Sequence, residues 1–225
     1  HGTAAVLLTV AQALRVAVDA LLRRPAVRWL AALLGLLPAL WLLVAAAADR
    51  LGANPAEALI RGSGDWALRL LCLALAVTPL RVTLGLPALA RWRRMAGLYA
   101  YGYALLHLLT YLWLDQGWDW GATLADVAKR PFILAGMVAV LLLTPLAATS
   151  WAGAMRRLGA ARWQRLHRLV YPVAVLAVLH FYWMRAGKRD FADVWLYGSL
   201  IALLLLWRLW RRWGGRGRSG AADLP

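Results

Sequence analysis

Apolar residues run through this chain in long blocks rather than in short alternations. Windows at roughly 28–48, 66–85, 97–114, 132–149, 166–184 and 194–212 are dominated by Leu, Ala, Val and Trp. A membrane-spanning helix needs about 20 mostly apolar residues, so the pattern predicts six spans. Breakers fall between the windows: Gly52-Ala53-Asn54-Pro55, Gly85-Leu86-Pro87, Gly117, Pro131, Gly153 and Gly187. Asp65 stands where its carboxylate could cap the second helix. Pro38, Pro79, Pro145 and Pro172 lie within or near span ends, which membrane helices tolerate because neighbours can satisfy the freed carbonyls.

The first residues follow another pattern. Gln12, Arg15, Asp19 and Arg23 recur at helical spacing against Val, Leu and Ala. That predicts an amphipathic helix lying on the membrane surface, not a seventh span. The fold class expected is therefore all-α: a six-transmembrane-helix bundle with an N-terminal amphipathic interfacial helix. Its divisions are an N-terminal segment at 1–27, a membrane domain at 28–213 and a flexible basic tail at 214–225.

Composition agrees with the block pattern. The 225 residues are 63% hydrophobic and only 16% charged, with a mean hydropathy of +0.61, far from the soluble norm. The net charge of +16 could suggest nucleic acid. However, the basic residues sit between apolar runs, leaving no soluble domain for a basic groove. They also set an orientation. Eighteen of the 26 Lys and Arg fall on the side holding both chain ends and eight on the other, so both termini are expected to be cytoplasmic. Trp113, Trp118, Trp120, Trp183 and Trp195 gather near the opposite face as an aromatic belt. A single cysteine, Cys72, leaves no internal disulfide, Cys-ligated cluster or C-x-x-C-H haem attachment.

Ionisable residues inside spans are the default functional candidates, because burying them is costly. None of the ten acids falls in the middle of a window, which weakens a proton pump, a cation transporter and a carboxylate-bridged metal centre together. Histidine is what remains. His107 lies in the third window; His167 and His180 bracket the fifth. Imidazole is the usual axial ligand of non-covalent haem, and a helix-bundle core is a natural place to hold it. At about 1.5 Å per residue, His107 lies roughly 15 Å and His180 roughly 21 Å beyond the inner edge of their spans. The two should meet in the outer half, while His167 stays near the inner edge. On one straight helix His167 and His180 would point roughly 140° apart, unless Pro172 re-phases it.

Four segments carry a resemblance: GDWALRLLCLALAVTPLR, RRMAGLYAYGYALLHLLTYLWLDQG, KRPFILAGM and LGAARWQRLHRLVYPVAVLAVLHFYW. Over about residues 28–212 the chain resembles the ferric-reductase-like transmembrane domains. More closely, it resembles the MsrQ (YedZ) family, the haem-binding membrane subunits of bacterial periplasmic methionine-sulfoxide reductase systems. The resemblance implies b-type haem, a bacterial inner-membrane location and electron transfer to a periplasmic molybdopterin reductase subunit, in a heterodimer, that repairs methionine sulfoxide in proteins. It places the family's key histidines, the iron ligands, at His107, His167 and His180. Flavin mononucleotide (FMN) and a quinol or cytosolic flavin reductase as donor also accompany the family.

Wider relatives carry a second histidine on the third span, where this chain has Arg93 or Arg94. The inner site is thus expected to hold FMN, quinone or a second haem, and one haem or two stays open. The G-x-G-x-x-G letters of Gly215–Gly220 lie in the basic tail without the strand-to-helix setting of a dinucleotide site, and no P-loop fingerprint is present, so a separate donor molecule is expected. Residues 115–130, with Asp115, Asp119 and Asp126 among tryptophans, are the expected contact for the acceptor. The alternatives are a stand-alone membrane reductase of ferric iron or oxygen and, further off, a histidine-lined transporter.

Overall fold

The structure, a computed structural model, describes residues 2–187 and 189–219. All regular secondary structure among them is helical. Helix α1 (Gly2–Arg23) is followed, after an extended Arg24, by α2 (Pro25–Ala47). Then come α3 (Pro55–Leu84), a 3₁₀ turn (Pro87–Leu89) and α4 (Ala90–Thr110), which runs on into a π turn at Tyr111–Asp115. The short α5 (Trp120–Lys129) leads into α6 (Pro131–Ala148), α7 (Ala152–Leu158), α8 (Ala160–His167), α9 (Val170–Ala186) and α10 (Ala192–Ser219).

Among the described residues, five segments are long and apolar enough to cross a membrane: α2, α3, α6, the α8–α9 stretch and α10. With the many exposed leucines and tryptophans of α2 and α10, they make this a multi-pass membrane protein. The third expected span corresponds to α4 and its π turn, which is not among the five. Arg91, Arg93 and Arg94 open that helix, and Tyr99, Tyr101, Tyr103 and His107 dilute its apolar run.

Local chemistry explains the boundaries. Asn54 caps α3 by accepting Glu57 N at 3.1 Å, and Pro55 takes the first helical position, where its missing N–H costs nothing. Helix α3 therefore starts well before the expected residue 66. Asp65 is not a cap but an interior residue of α3, a correction that follows from Asn54 already satisfying the orphan N–H. Gly85, with φ of 65°, ends the helix in the left-handed region that suits glycine. Of the expected tail at 214–225, residues 214–219 continue α10, and 220–225 lie outside the described residues.

Polar groups fasten the bundle where prolines loosen it. Pro79 cannot donate to Leu75 O, and Arg208 of α10 donates to that carbonyl instead. Arg208 also reaches Leu204 O at 2.8 Å. Near Pro38, the Tyr103 hydroxyl of α4 sits inside the α2 ladder, accepting Ala39 N at 3.0 Å and donating to Gly35 O at 2.8 Å. Tyr99 donates to Ala32 O at 2.6 Å, and its ring lies against Gly35. Asp19 of α1 accepts Ala88 N of the 3₁₀ turn at 2.7 Å and pairs with Arg23 at 2.7 Å. The core is filled by Leu68, Leu71, Leu75, Ala100, Val173, Ala174, Phe181 and Ile201, contributed by α3, α4, α9 and α10.

Candidate functional site

Two helix pairs, α3 with α4 and α6 with α9, bring a histidine each to a shared cavity. His107 of α4 and His180 of α9 face one another with ring centroids 5.8 Å apart and planes at 79°. The Nδ1 of His107 lies 2.7 Å from Ile60 O, and that of His180 lies 2.6 Å from Phe132 O. A carbonyl only accepts, so in each neutral ring Nδ1 carries the proton and donates it. Nε2 is then the lone-pair nitrogen. A metal-bound histidine usually holds its other ring N–H in this way.

The cavity of about 480 Å³ falls in the size range of small-molecule and cofactor sites. Its walls near the core are apolar, with Leu68, Leu71, Ala104, Val140 and Val173. The charged lining groups include Glu57, Arg61, Asp65, Asp115 and Arg130. Three of these are held in ion pairs one helical turn long: Arg61 with Glu57 at 2.7 Å and Arg130 with Asp126 at 2.9 Å. Tyr111, one turn beyond His107, donates to Asp126 at 2.8 Å.

The residues fit a haem. With metal–imidazole distances of about 2 Å, two axial rings would stand roughly 6 Å apart by their centroids, close to the observed separation. Both Nε2 atoms are lone-pair nitrogens, and the walls around them are mostly apolar.

His167 is elsewhere. It ends α8 and lines a second cavity of about 570 Å³ together with Arg93, Arg94, Arg168, Arg208, Tyr171 and Trp163. Its ring stacks on Trp163 at 3.8 Å and 25°, and its Nε2 is 3.1 Å from Thr149 Oγ1. Thr149 gives its own proton to Pro145 O at 2.6 Å, so His167 donates from Nε2 and keeps Nδ1 as its acceptor. That is the tautomer opposite to the facing pair. The structure therefore brings His107 and His180 together and sets His167 with Arg93 and Arg94 in a separate chamber.

The phase conflict between His167 and His180 is absent, because the chain breaks at Arg168 and Leu169 and the two residues stand on different helices. Leu71, Ala100 and Leu143 line both chambers and form the wall between them. Among the described residues, no cluster of three or more His, Cys, Asp or Glu side chains could hold a metal ion by itself. The acids of 115–130 have local partners: Asp119 caps α5 by accepting Ala122 N at 2.9 Å, and Asp126 serves Tyr111 and Arg130. Sequence reasoning missed the Ile60 and Phe132 carbonyls and the Thr149–Trp163 seat of His167. No side-chain signal marks a carbonyl acceptor.

Residues 63–178 match the family described as ferric reductase like transmembrane component. Relatives carry the name protein-methionine-sulfoxide reductase heme-binding subunit MsrQ. The one from Polaromonas naphthalenivorans (strain CJ2) is 58% identical over 187 residues, 83% of this chain and 85% of that protein. The one from Ralstonia nicotianae (strain ATCC BAA-1114 / GMI1000) is 52% identical, covering 80% of this chain and 83% of that protein. The one from Rhodospirillum rubrum is 49% identical, covering 77% and 82%. No solved structure matches.

Proposed function

Because the chain belongs to the ferric reductase-like transmembrane family, and within it to the MsrQ proteins, we propose that it conducts electrons across a bacterial inner membrane through b-type haem held by His107 and His180. The observation that carries this reading is the facing pair of imidazoles, each with Nδ1 committed to a backbone carbonyl and Nε2 left to bind iron. Haem bound there supplies a one-electron iron couple. The chain's own part is to ligate, orient and tune it. Helices α4 and α9 present the two rings, α3 and α6 fix their tautomer, and the apolar walls keep water from the metal.

In this reading α4 is the sixth crossing; its 21 residues span about 32 Å at 1.5 Å each. Residues 28–213 form the membrane domain, both termini are cytoplasmic, and α1, within residues 1–27, lies along the interface. The remaining residues, 214–225, form a basic cytoplasmic tail. The chamber of His167, Arg93 and Arg94 faces the cytoplasm and receives electrons from a quinol or a cytosolic flavin reductase. Its aromatic and arginine lining suits an anionic planar group such as FMN; quinone or a second haem would use the same space. The acceptor is a periplasmic molybdopterin methionine-sulfoxide reductase subunit, paired with this chain as a heterodimer, which docks near 115–130 and repairs oxidised proteins.

The test is the visible spectrum of the detergent-purified protein, air-oxidised and then dithionite-reduced, with haem counted against protein. One low-spin b-type haem per chain is expected. His107→Ala and His180→Ala should each abolish it. A normal bis-histidine spectrum in both variants would overturn the reading. Reduction of ferric iron or oxygen at full rate with no periplasmic partner would favour the stand-alone reductase.

A further inference from the structure

The two histidines are seated by the same device. On α3, Ile60 offers its carbonyl to His107, and one turn further along stands Gly64. On α6, Phe132 offers its carbonyl to His180, and one turn further along stands Gly136. Residues four apart lie on the same face of a helix, so each imidazole meets a carbonyl and then a bare glycine Cα. A methyl at Gly64 would stand 3.0 Å from His107 Nδ1 and 3.1 Å from its Cε1. A methyl at Gly136 would stand 2.9 Å and 3.0 Å from the same atoms of His180. At Gly136 the separation is shorter than Cβ contacts allow, and at Gly64 it is tight enough that the ring would have to give by a few tenths of an ångström. The ring, fixed by its own helix on the other side, would have to lift off its carbonyl.

Gly35 of α2 seats the Tyr99 ring as closely, with a methyl there 2.9 Å from its Cζ, but among the described glycines it is Gly64 and Gly136 that meet an imidazole. A methyl at Gly102 of α4 meets nothing within 4 Å, and one at Gly62 of α3 meets only the side chain of Leu42. An interior helical glycine carries a conformational cost that alanine does not. At Gly64 and Gly136 that cost is offset by the close approach of a ring.

We propose that Gly64 and Gly136 are positioning residues for the haem ligands: each leaves a notch in the facing helix that lets an imidazole lie against the backbone and donate Nδ1–H to a helical carbonyl. The proposal rests on the haem reading above. It extends that reading from the ligands to the residues that set their tautomer, tilt and basicity. A histidine that donates strongly from Nδ1 is a more basic ligand at Nε2 and favours ferric iron. The depth of the notches therefore tunes the reduction potential. The Ser63 hydroxyl, 2.7 Å from Leu59 O, also lies 2.9 Å from Ile60 O, the acceptor of His107.

The experiment compares Gly64→Ala and Gly136→Ala with Gly102→Ala in the full-length, detergent-purified protein. It reads haem affinity by transfer to an apo-acceptor, the electron paramagnetic resonance of the ferric form and the midpoint potential by titration. Gly102→Ala should match the parent. Each notch variant should hold haem about 10- to 100-fold more weakly, the typical cost of disturbing a ligand's outer partner. Whatever haem remains should show shifted g-values and a more positive potential.

Wild-type spectra, affinity and potential in both notch variants, while His107→Ala and His180→Ala lose haem, would overturn the proposal and leave the haem reading standing. Retention of haem by both histidine variants would instead remove the reading on which it rests. Should a notch variant fail to fold, pulsed resonance of the wild-type protein exchanged into D₂O reads the Nδ1 protons directly. Two exchangeable, hydrogen-bonded protons are expected, and an axial imidazole lacking one would overturn the proposal.

Discussion

Arg208 donates to the carbonyl of Leu75, the acceptor that Pro79 strips of its helical partner. A charged side chain on α10 thus repairs a defect in α3, and the two helices are fastened at the point where α3 would otherwise be weakest. Arg208→Leu should destabilise the protein by about 1–3 kcal/mol, the cost of an unsatisfied buried acceptor. In a Pro79→Ala background the helix supplies its own N–H and the same substitution should cost less. Thermal unfolding of the two single variants and the double variant measures the coupling; strict additivity would show that the two residues do not share the carbonyl.

The Tyr103 hydroxyl bridges Ala39 N and Gly35 O across the α2 ladder. Tyr103→Phe should lower stability by about 1 kcal/mol, with the haem spectrum unchanged, because the hydroxyl's partners are backbone groups of α2 and not the histidine pair. A spectral change of the size caused by losing His107 would contradict this separation.

His167 and the facing pair occupy different chambers. His167→Ala should therefore leave the low-spin signal of the pair intact while removing whatever flavin or second haem purifies with the protein. Haem and flavin quantified on one sample decide this; loss of the pair's signal would mean that the chambers are not independent.

Asp19 is held below the ordinary aspartate range, first by the N–H of Ala88 and then by Arg23 beside it. A depressed carboxyl contributes its stability above its unfolded pKa of about 3.9, and that contribution fades as pH falls through the lower folded value. The tie between α1 and the 3₁₀ turn should thus be constant from neutral pH down to about 5. Only stronger acid should release it. Hydrogen exchange of the Ala88 amide follows it directly, and Asp19→Ala should raise that rate at neutral pH.

What could be read in the sequence divides along physical lines. The starts of α2, α6 and α10 lie close to the expected windows because apolar blocks bounded by Pro and Gly are local signals. The first turns of α3 were missed: Asn54-Pro55, its true start, reads as a breaker, and the small and polar residues before 66 let Asp65 pass for the cap. Depth along two helices was enough to bring His107 beside His180. The break at Arg168 and Leu169 was legible in its cause but not in its form: Pro172 has no N–H for Arg168 O, which takes the tighter bond from Tyr171 N at 3.0 Å instead. The seats of the rings were not legible: Gly64 and Gly136 look like any small residues of a membrane helix until an imidazole is found lying on them.

The wall formed by Leu71, Ala100 and Leu143 has an electrical consequence. None of the three can take up or release a proton, so the wall is a dielectric partition between two chambers. An electron tunnelling through it would carry its charge uncompensated. The voltage across the membrane then becomes part of the driving force, at about 2.3 kcal/mol per elementary charge for each 100 mV dropped. In the orientation proposed above, with the cytoplasm negative, that force points from the chamber of His167 toward the chamber of His107 and His180. Across these three hydrocarbon side chains the membrane voltage would add to outward electron flow and oppose its return.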